Sequence, residues 1–350
     1  MIKGYLFFLI LLFCSITSQA QITDVITDQS LPTAMALNGN DLYYIENGND
    51  RIRKINISDT NPTPTDMLTG LIDGVDLLIS GNYLYISDPG DDKILKLDIT
   101  QANPIAMIVK QNIESPLGMA IKDNFLYVCQ GSLRKISKID LTIADPPLIT
   151  VVSTGVFSSF FALKGNDLYY SNYYANKISK IDVTSPNPLP VDVVINLSGP
   201  NGIVFNGNDL YICESNGNSI SRKNITSSGL LTTTLLTGLN RSGDLAFSSN
   251  NILYFSQVYG NKISKYSGPL SIHENGKLDL ELFPNPSSDY LQLSNLSEIV
   301  EYKIFNIWGE EIQKGKLSEN EKIDIRNFSN GIYFLRIFNE DNITMKFIKR

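Results

Sequence analysis

At 350 residues, 43% of them hydrophobic and 19% charged, the chain can bury a sizeable core and has room for two domains. Its formal net charge of −7 gives it no electrostatic attraction for nucleic acid or an anionic membrane. The single histidine, His273, excludes histidine triads and multi-histidine metal sites by inventory.

Residues 1–20 read as a signal peptide. Lys3 precedes an apolar run, Tyr5 to Phe13, and Ser18-Gln19-Ala20 is a small-x-small cleavage signal, so cleavage is expected between Ala20 and Gln21. The run is about half of the roughly twenty residues that a membrane span needs, so no transmembrane segment is expected in the mature protein. Phe13 stands before Cys14, where a lipoprotein needs a small residue. Cys129 and Cys213 remain; they occupy equivalent places in repeats that are not neighbours, and read as small core residues rather than a disulfide.

From residue 21 onward the dominant signal is an internal period. Leu-Tyr pairs place tyrosines at Tyr43, Tyr85, Tyr127, Tyr169, Tyr211 and Tyr254, spaced by 42 residues four times and then by 43. Ile52, Ile94, Ile136, Ile178, Ile220 and Ile263 run in phase with them. Each unit reads as four short strands, with turn signals such as Asn38-Gly39 and Asn206-Gly207 between the first two. A repeat of this length with four strands is the pattern of a propeller blade. The sixth unit stops near Ser267 with three strands, and Ile22 to Thr27 supplies an orphan strand. Placed on the sixth blade, with Ile22, Val25 and Ile26 buried, the orphan would close the ring.

Units such as Leu84-Tyr-Ile-Ser-Asp-Pro-Gly-Asp-Asp-Lys-Ile94 resemble the NHL and YWTD families of six-bladed propellers, and the resemblance covers residues 21–268. It implies a fold that hosts enzymes, receptors and scaffolds alike. A polar linker, 269–279, leads to a different pattern over 280–350. There Phe283-Pro284-Asn285-Pro286, Val300 to Gly309, Asn330-Gly-Ile-Tyr-Phe-Leu-Arg-Ile337 and Lys346-Phe-Ile-Lys-Arg350 follow in order. This order resembles the type A C-terminal sorting domain of the type IX secretion system of Bacteroidetes. The resemblance implies a partner, the outer-membrane translocon, and a protein released outside the cell or attached to its surface. The expected fold is therefore all-β: a six-bladed β-propeller followed by a small immunoglobulin-like β-sandwich.

Propeller ligands sit where the inner strands begin and the second strands turn into the third. One ring of positions there reads Glu46, Asp88, Gln130, Asn172, Glu214 and Gln257, polar throughout and suited to bonding loop amides or a ligand. A second reads Ala34, Asp76, Gly118, Phe160, Gly202 and Asp244. Asp76 and Asp244 flank blade one, and Phe160 faces it as an apolar wall, so a small acidic-aromatic pocket is expected. Gly199-Pro-Asn201-Gly-Ile-Val-Phe205 resembles the metal-ligand asparagine segment of gluconolactonase-type propellers. That family also places a Glu on its first inner strand, where Leu31-Pro32-Thr33-Ala34 has none. An oxygen-ligand site for Ca²⁺ from Asp76, Asp244, Asn201 and Asp73 is the corresponding metal reading. Tyr173, Tyr174 and Tyr259 fall in loops, either as aromatic platforms for sugars or proteins or as solvated side chains. The leading expectation is a non-catalytic binding module for a protein or glycan; the alternative is a metal-dependent hydrolase of the gluconolactonase type.

Overall fold

A computed structural model describes residues 22–153, 160–227, 229–268, 282–293, 299–318, 321–338 and 344–350. The expected cleavage site at Ala20 and Gln21, and the linker with His273, lie outside the described residues. The chain divides into two compact units, Met1–Leu270 and Ser271–Arg350.

The first unit consists of six four-stranded antiparallel sheets. In the first blade Pro32–Asn38, Asp41–Glu46, Arg51–Asn56 and Thr65–Thr69 pair in chain order. The next four blades repeat this order. Second strands such as Asp41–Glu46 and Phe125–Gln130 are buried on both faces, because each sheet packs against its neighbours. That explains the period: Leu42, Leu84, Leu126, Leu168, Leu210 and Leu253 are fully buried, and the isoleucines of the second series nearly so. Outer strands such as Thr65–Thr69 are half open to solvent and read weakly in sequence. The turn between the first two strands needs a left-handed residue, which Gly39 supplies at φ +58°.

The sixth blade is assembled from both ends of the unit, in the order Ser242–Phe247, Leu253–Gln257, Lys262–Tyr266 and then Ile22–Ile26. The closing strand is held by polar contacts together with partial apolar burial of Val25 and Ile26. Asp24 Oδ2 lies 3.0 Å from Lys262 Nζ, and Ser264 Oγ donates to Asp24 Oδ1 at 2.7 Å. Ile22 is 39% exposed and Val25 and Ile26 are half-buried, so this edge stays partly open to solvent. A bulge between Asp24 and Ile26 twists this edge, and the strand is the outermost of its blade.

One hydrophobic cluster joins blades one and two (Ala34, Leu77) to blades four and five (Phe160, Ile203), with no residue of blades three or six in it. The join must therefore cross the central axis, and Phe160, 6% exposed and just before the inner strand Phe161–Lys164, is part of it.

In the second unit Leu282–Phe283, Tyr290–Leu293 and Ile323–Asp324 form one sheet. Glu311–Leu317, Val300–Asn306, Gly331–Phe338 and Thr344–Lys349 form the other. Leu291, Ile304, Ile325, Leu335 and Phe347 fill its core. The Asn-Pro opening and the basic last strand meet directly. Asn285 Nδ2 donates to the Lys346 carbonyl at 2.9 Å, and Asn285 Oδ1 accepts the Ile348 N–H at 3.0 Å. The hairpin glycine, Gly309, sits at φ +81°, and Asn306 Oδ1 accepts the N–H groups of Trp308 and Glu310 around it. Among the described residues no helix is long and apolar enough to cross a membrane.

Candidate functional site

All inner strands begin, and all second strands end, at one face of the propeller. The first ring of polar residues lies just beneath it and fastens loops. Glu46 Oε1 accepts the Ser30 N–H at 2.7 Å, Asp88 Oδ1 that of Ile72 at 2.9 Å, Glu214 Oε2 that of Ser198 at 2.8 Å, and Gln257 Oε1 that of Asn240 at 3.0 Å. In each case a side chain at the end of a second strand holds the loop entering its own blade. Gln130 instead accepts from Ser137 Oγ at 2.8 Å, and Asn172 from the Ala175 N–H at 3.1 Å. Burial pushes the Glu46 carboxyl up, but Arg51, 2.5 Å from Oε2, and the Ser30 amide outweigh it and hold it below its ordinary value. Asp88 has only Lys93 at 3.4 Å and the Ile72 amide, and burial leaves it raised.

Asp76 and Asp244 lie deeper, and their surroundings are copies of each other. Asp76 Oδ2 accepts the Met119 N–H of blade three at 2.7 Å; Asp244 Oδ2 accepts the Met35 N–H of blade one at 2.8 Å. Each carboxylate also accepts the N–H of the following residue, Leu77 or Leu245. Each aspartate N–H donates to a second-strand serine, Ser87 or Ser256, at 3.0 Å. Two carboxylates are thus braces between adjacent inner strands, at the joints from blade two to three and six to one. Burial pushes Asp244 up to about 7. Burial and then repulsion from Asp244 push Asp76 well above the ordinary carboxylate range. The same field, after burial, raises Cys213. Cys129 and Cys213 are buried and are not joined in a disulfide.

Gly202 is packed against Asp244: a Cβ there would lie 2.5 Å from both Asp244 Cα and Oδ1. Asn201, half-buried, is the second residue of the same strand, Pro200–Asn206. A hard cation takes six to eight oxygen ligands. Among the described residues no group of three or more His, Cys, Asp or Glu is placed to hold a metal ion. Asp76 and Asp244 each accept two backbone N–H groups, which occupies part of their oxygen-donor capacity.

Outside these braces the face is made of loops. Tyr174 is 76% exposed and meets Tyr173 edge-on, ring centres 5.3 Å apart. Tyr173 Oη donates to Asn216 Oδ1 at 2.7 Å in the next blade. Asn218 Oδ1 accepts the Arg241 N–H at 2.9 Å, and the Arg241 guanidinium lies 4.7 Å from the centre of the Tyr259 ring, with Arg241 Nη1 donating to Tyr259 Oη. Sequence reasoning found the three tyrosines but missed Arg241 and Asn216. It also missed a third ring at left-handed positions, Asp92, Asn176, Asn218 and Asn261, whose side chains accept N–H groups of Ser115, Gly199, Arg241 and Leu31. The spacing of these four residues, 84, 42 and 43, in step with the repeat, was the available signal.

The fold defines a six-bladed β-propeller carrying a C-terminal β-sandwich. Residues 281–350 match the family described as secretion system C-terminal sorting domain, so the sandwich is a type IX sorting domain and the protein is extracellular or attached to the cell surface. Among solved structures the chain is similar to virginiamycin B lyase from Staphylococcus aureus, at 16% identity and TM-score 0.50, covering 79% of this chain and 95% of that one. It is also similar to a gluconolactonase from Xanthomonas campestris, at 11% identity and TM-score 0.57, covering 71% and 90%. A structural genomics protein of unknown function from Bacteroides thetaiotaomicron gives 14% identity and TM-score 0.58, covering 71% and 72%. Identities this low speak for the fold alone. Comparison with curated protein sequences finds no match.

Proposed function

We propose that the propeller is a non-catalytic binding module that engages a protein or glycan through its loop face, and that the translocon of the type IX system recognises the sorting domain to export it. The observation that carries the reading is a division of labour on that face. Its buried carboxylates hold backbone amides together, while its loops on blades four to six present tyrosines and amides, with Arg241 half-buried beside Tyr259. Such a surface suits recognition: rigid aromatic area for contact, amides for direction. It offers nucleic acid no basic groove. A gluconolactonase-type hydrolase is the second reading, resting on the Asn201 segment and the Xanthomonas likeness; the constraint on Asp76 and Asp244 counts against it.

The discriminating experiment combines a glycan and protein binding screen of residues 21–350 with a lactone hydrolysis assay. Saturable binding without turnover is the expected result. Lactone hydrolysis abolished by Asn201→Ala would replace the binding module with the enzyme.

A further inference from the structure

The loop face is not uniform around its circumference. From the joint between blades six and one through blade three, its exposed loops carry Asp28, Asp50, Asp73, Asp91, Asp92 and Glu114. The loops 173–176, 195–199, 215–218, 237–241 and 258–261, on blades four to six, contain no acidic residue. They contain Tyr173, Tyr174, Asn216, Asn218, Arg241 and Tyr259 instead.

These residues form a connected arc across three blades: Tyr174 on Tyr173, Tyr173 on Asn216, Asn218 on Arg241, and Arg241 on Tyr259. Gly199 lets it close up: at φ +62°, a Cβ there would lie 2.6 Å from Asn216 Nδ2 and 3.1 Å from Tyr173 Cε2. The two tyrosines at its ends are the open ones, Tyr174 at 76% and Tyr259 at 64% exposure. Each is braced from one side by a neighbour, which fixes the ring and leaves its remaining surface to solvent.

Resting on the binding-module reading, we infer that the arc Tyr173–Tyr174–Asn216–Arg241–Tyr259 is a saccharide-binding site. A sugar ring presents an apolar C–H face and a rim of hydroxyls. A tyrosine face matches the first, and amide and guanidinium groups match the second. The absence of carboxylates spares the hydroxyls competition from strongly hydrated charge, and leaves uronic sugars unrepelled. A protein partner is matched better by an interface with an apolar core. Among the described residues, the exposed aliphatic side chains of this face, Leu31, Ile72 and Leu133, lie on the other half, among the acids.

The test uses residues 21–350 titrated calorimetrically with laminarin, xylan, mannan, chitohexaose, alginate and pectin. At least one should bind. Tyr174→Ala and Tyr259→Ala should each weaken that binding about tenfold, whereas Tyr174→Phe and Tyr259→Phe, which keep the ring, should stay within about threefold. Thermal unfolding of the variants should match the parent, since these side chains are exposed. Saccharide binding indifferent to both alanine variants would overturn the site while leaving the module reading intact. Failure of every probe, or binding of a purified protein partner through this arc, would overturn the saccharide class. Lactone hydrolysis by the same preparation would remove the underlying reading itself.

Discussion

The Met35 N–H donates to Asp244 Oδ2 at 2.8 Å, so a carboxylate of the last blade holds the inner strand of the first. Asp76 repeats the contact with Met119.

Both braces make stability fall as pH rises. Burial raises Asp244 to about 7, and Asp76 shifts in the same direction. Between about pH 4, where an unfolded Asp releases its proton, and the folded value, the folded state binds more protons than the unfolded. The contribution is therefore complete below about pH 4 and is lost as pH climbs through about 7. Urea unfolding across that window should show a decline of a few kcal/mol, and Asp244→Asn should flatten it. Glu46, held low by Arg51, works in the opposite sense, and only at more acid pH. A midpoint that climbs between pH 5 and 7 would contradict the assignment.

Gly202→Ala should destabilise the propeller by about 1–3 kcal/mol. The added carbon would meet Asp244 Cα at 2.5 Å and the Gly243 carbonyl at 2.8 Å, both backbone atoms that cannot rotate away. The measurement is the shift in urea midpoint at constant slope. A neutral substitution would show that the inner strands of blades five and six separate easily.

Deleting residues 22–26 should cost about 2–4 kcal/mol, of which half-buried Val25 and Ile26 account for about 1 kcal/mol each. The remainder comes from the strand's backbone bonds to Lys262–Tyr266 and from the Asp24 contacts. Full removal would thus lower the melting temperature without abolishing folding. An unaltered melting curve would mean that Lys262–Tyr266 tolerates an open edge.

Export should depend on the sorting unit as a folded whole. Truncation after Gly268 should leave the propeller in the periplasm of a host with the type IX machinery. Asn285→Ala, which removes both bonds to the last strand, should reduce appearance in the medium. Normal secretion of the truncated chain would show that export does not require the unit.

The blades were legible because a side chain sandwiched between two sheets has to be apolar in every repeat: Leu42 and Ile52 recur at the same depth six times. The braces were half legible. Asp76 and Asp244 stood out from Ala34 and Gly202 at the same ring position, but their partners are backbone N–H groups on a different blade, and backbone leaves no mark in a sequence. Their persistence in a narrow space pointed to a cation or ligand; in the structure both also accept N–H groups from neighbouring inner strands. Arg241 was hidden because its partner Tyr259 lies 18 residues away, on a loop whose fold had first to be known.

The composite sixth blade also sets an order of events. Asp24 and Ser264 are 240 residues apart in the chain, and their pairing belongs to the seam that shuts the ring. A chain delivered N-terminus first exposes Ile22–Ile26 as a strand without its mate until nearly all of the propeller has arrived. Contacts between such distant segments form slowly. For that interval the protein carries one open strand able to pair with a neighbouring chain, and the charge of Asp24 together with the bulge beside it is what discourages the wrong union. The propeller is thus a structure that completes late, and its vulnerability lies in the time before closure rather than in the closed ring.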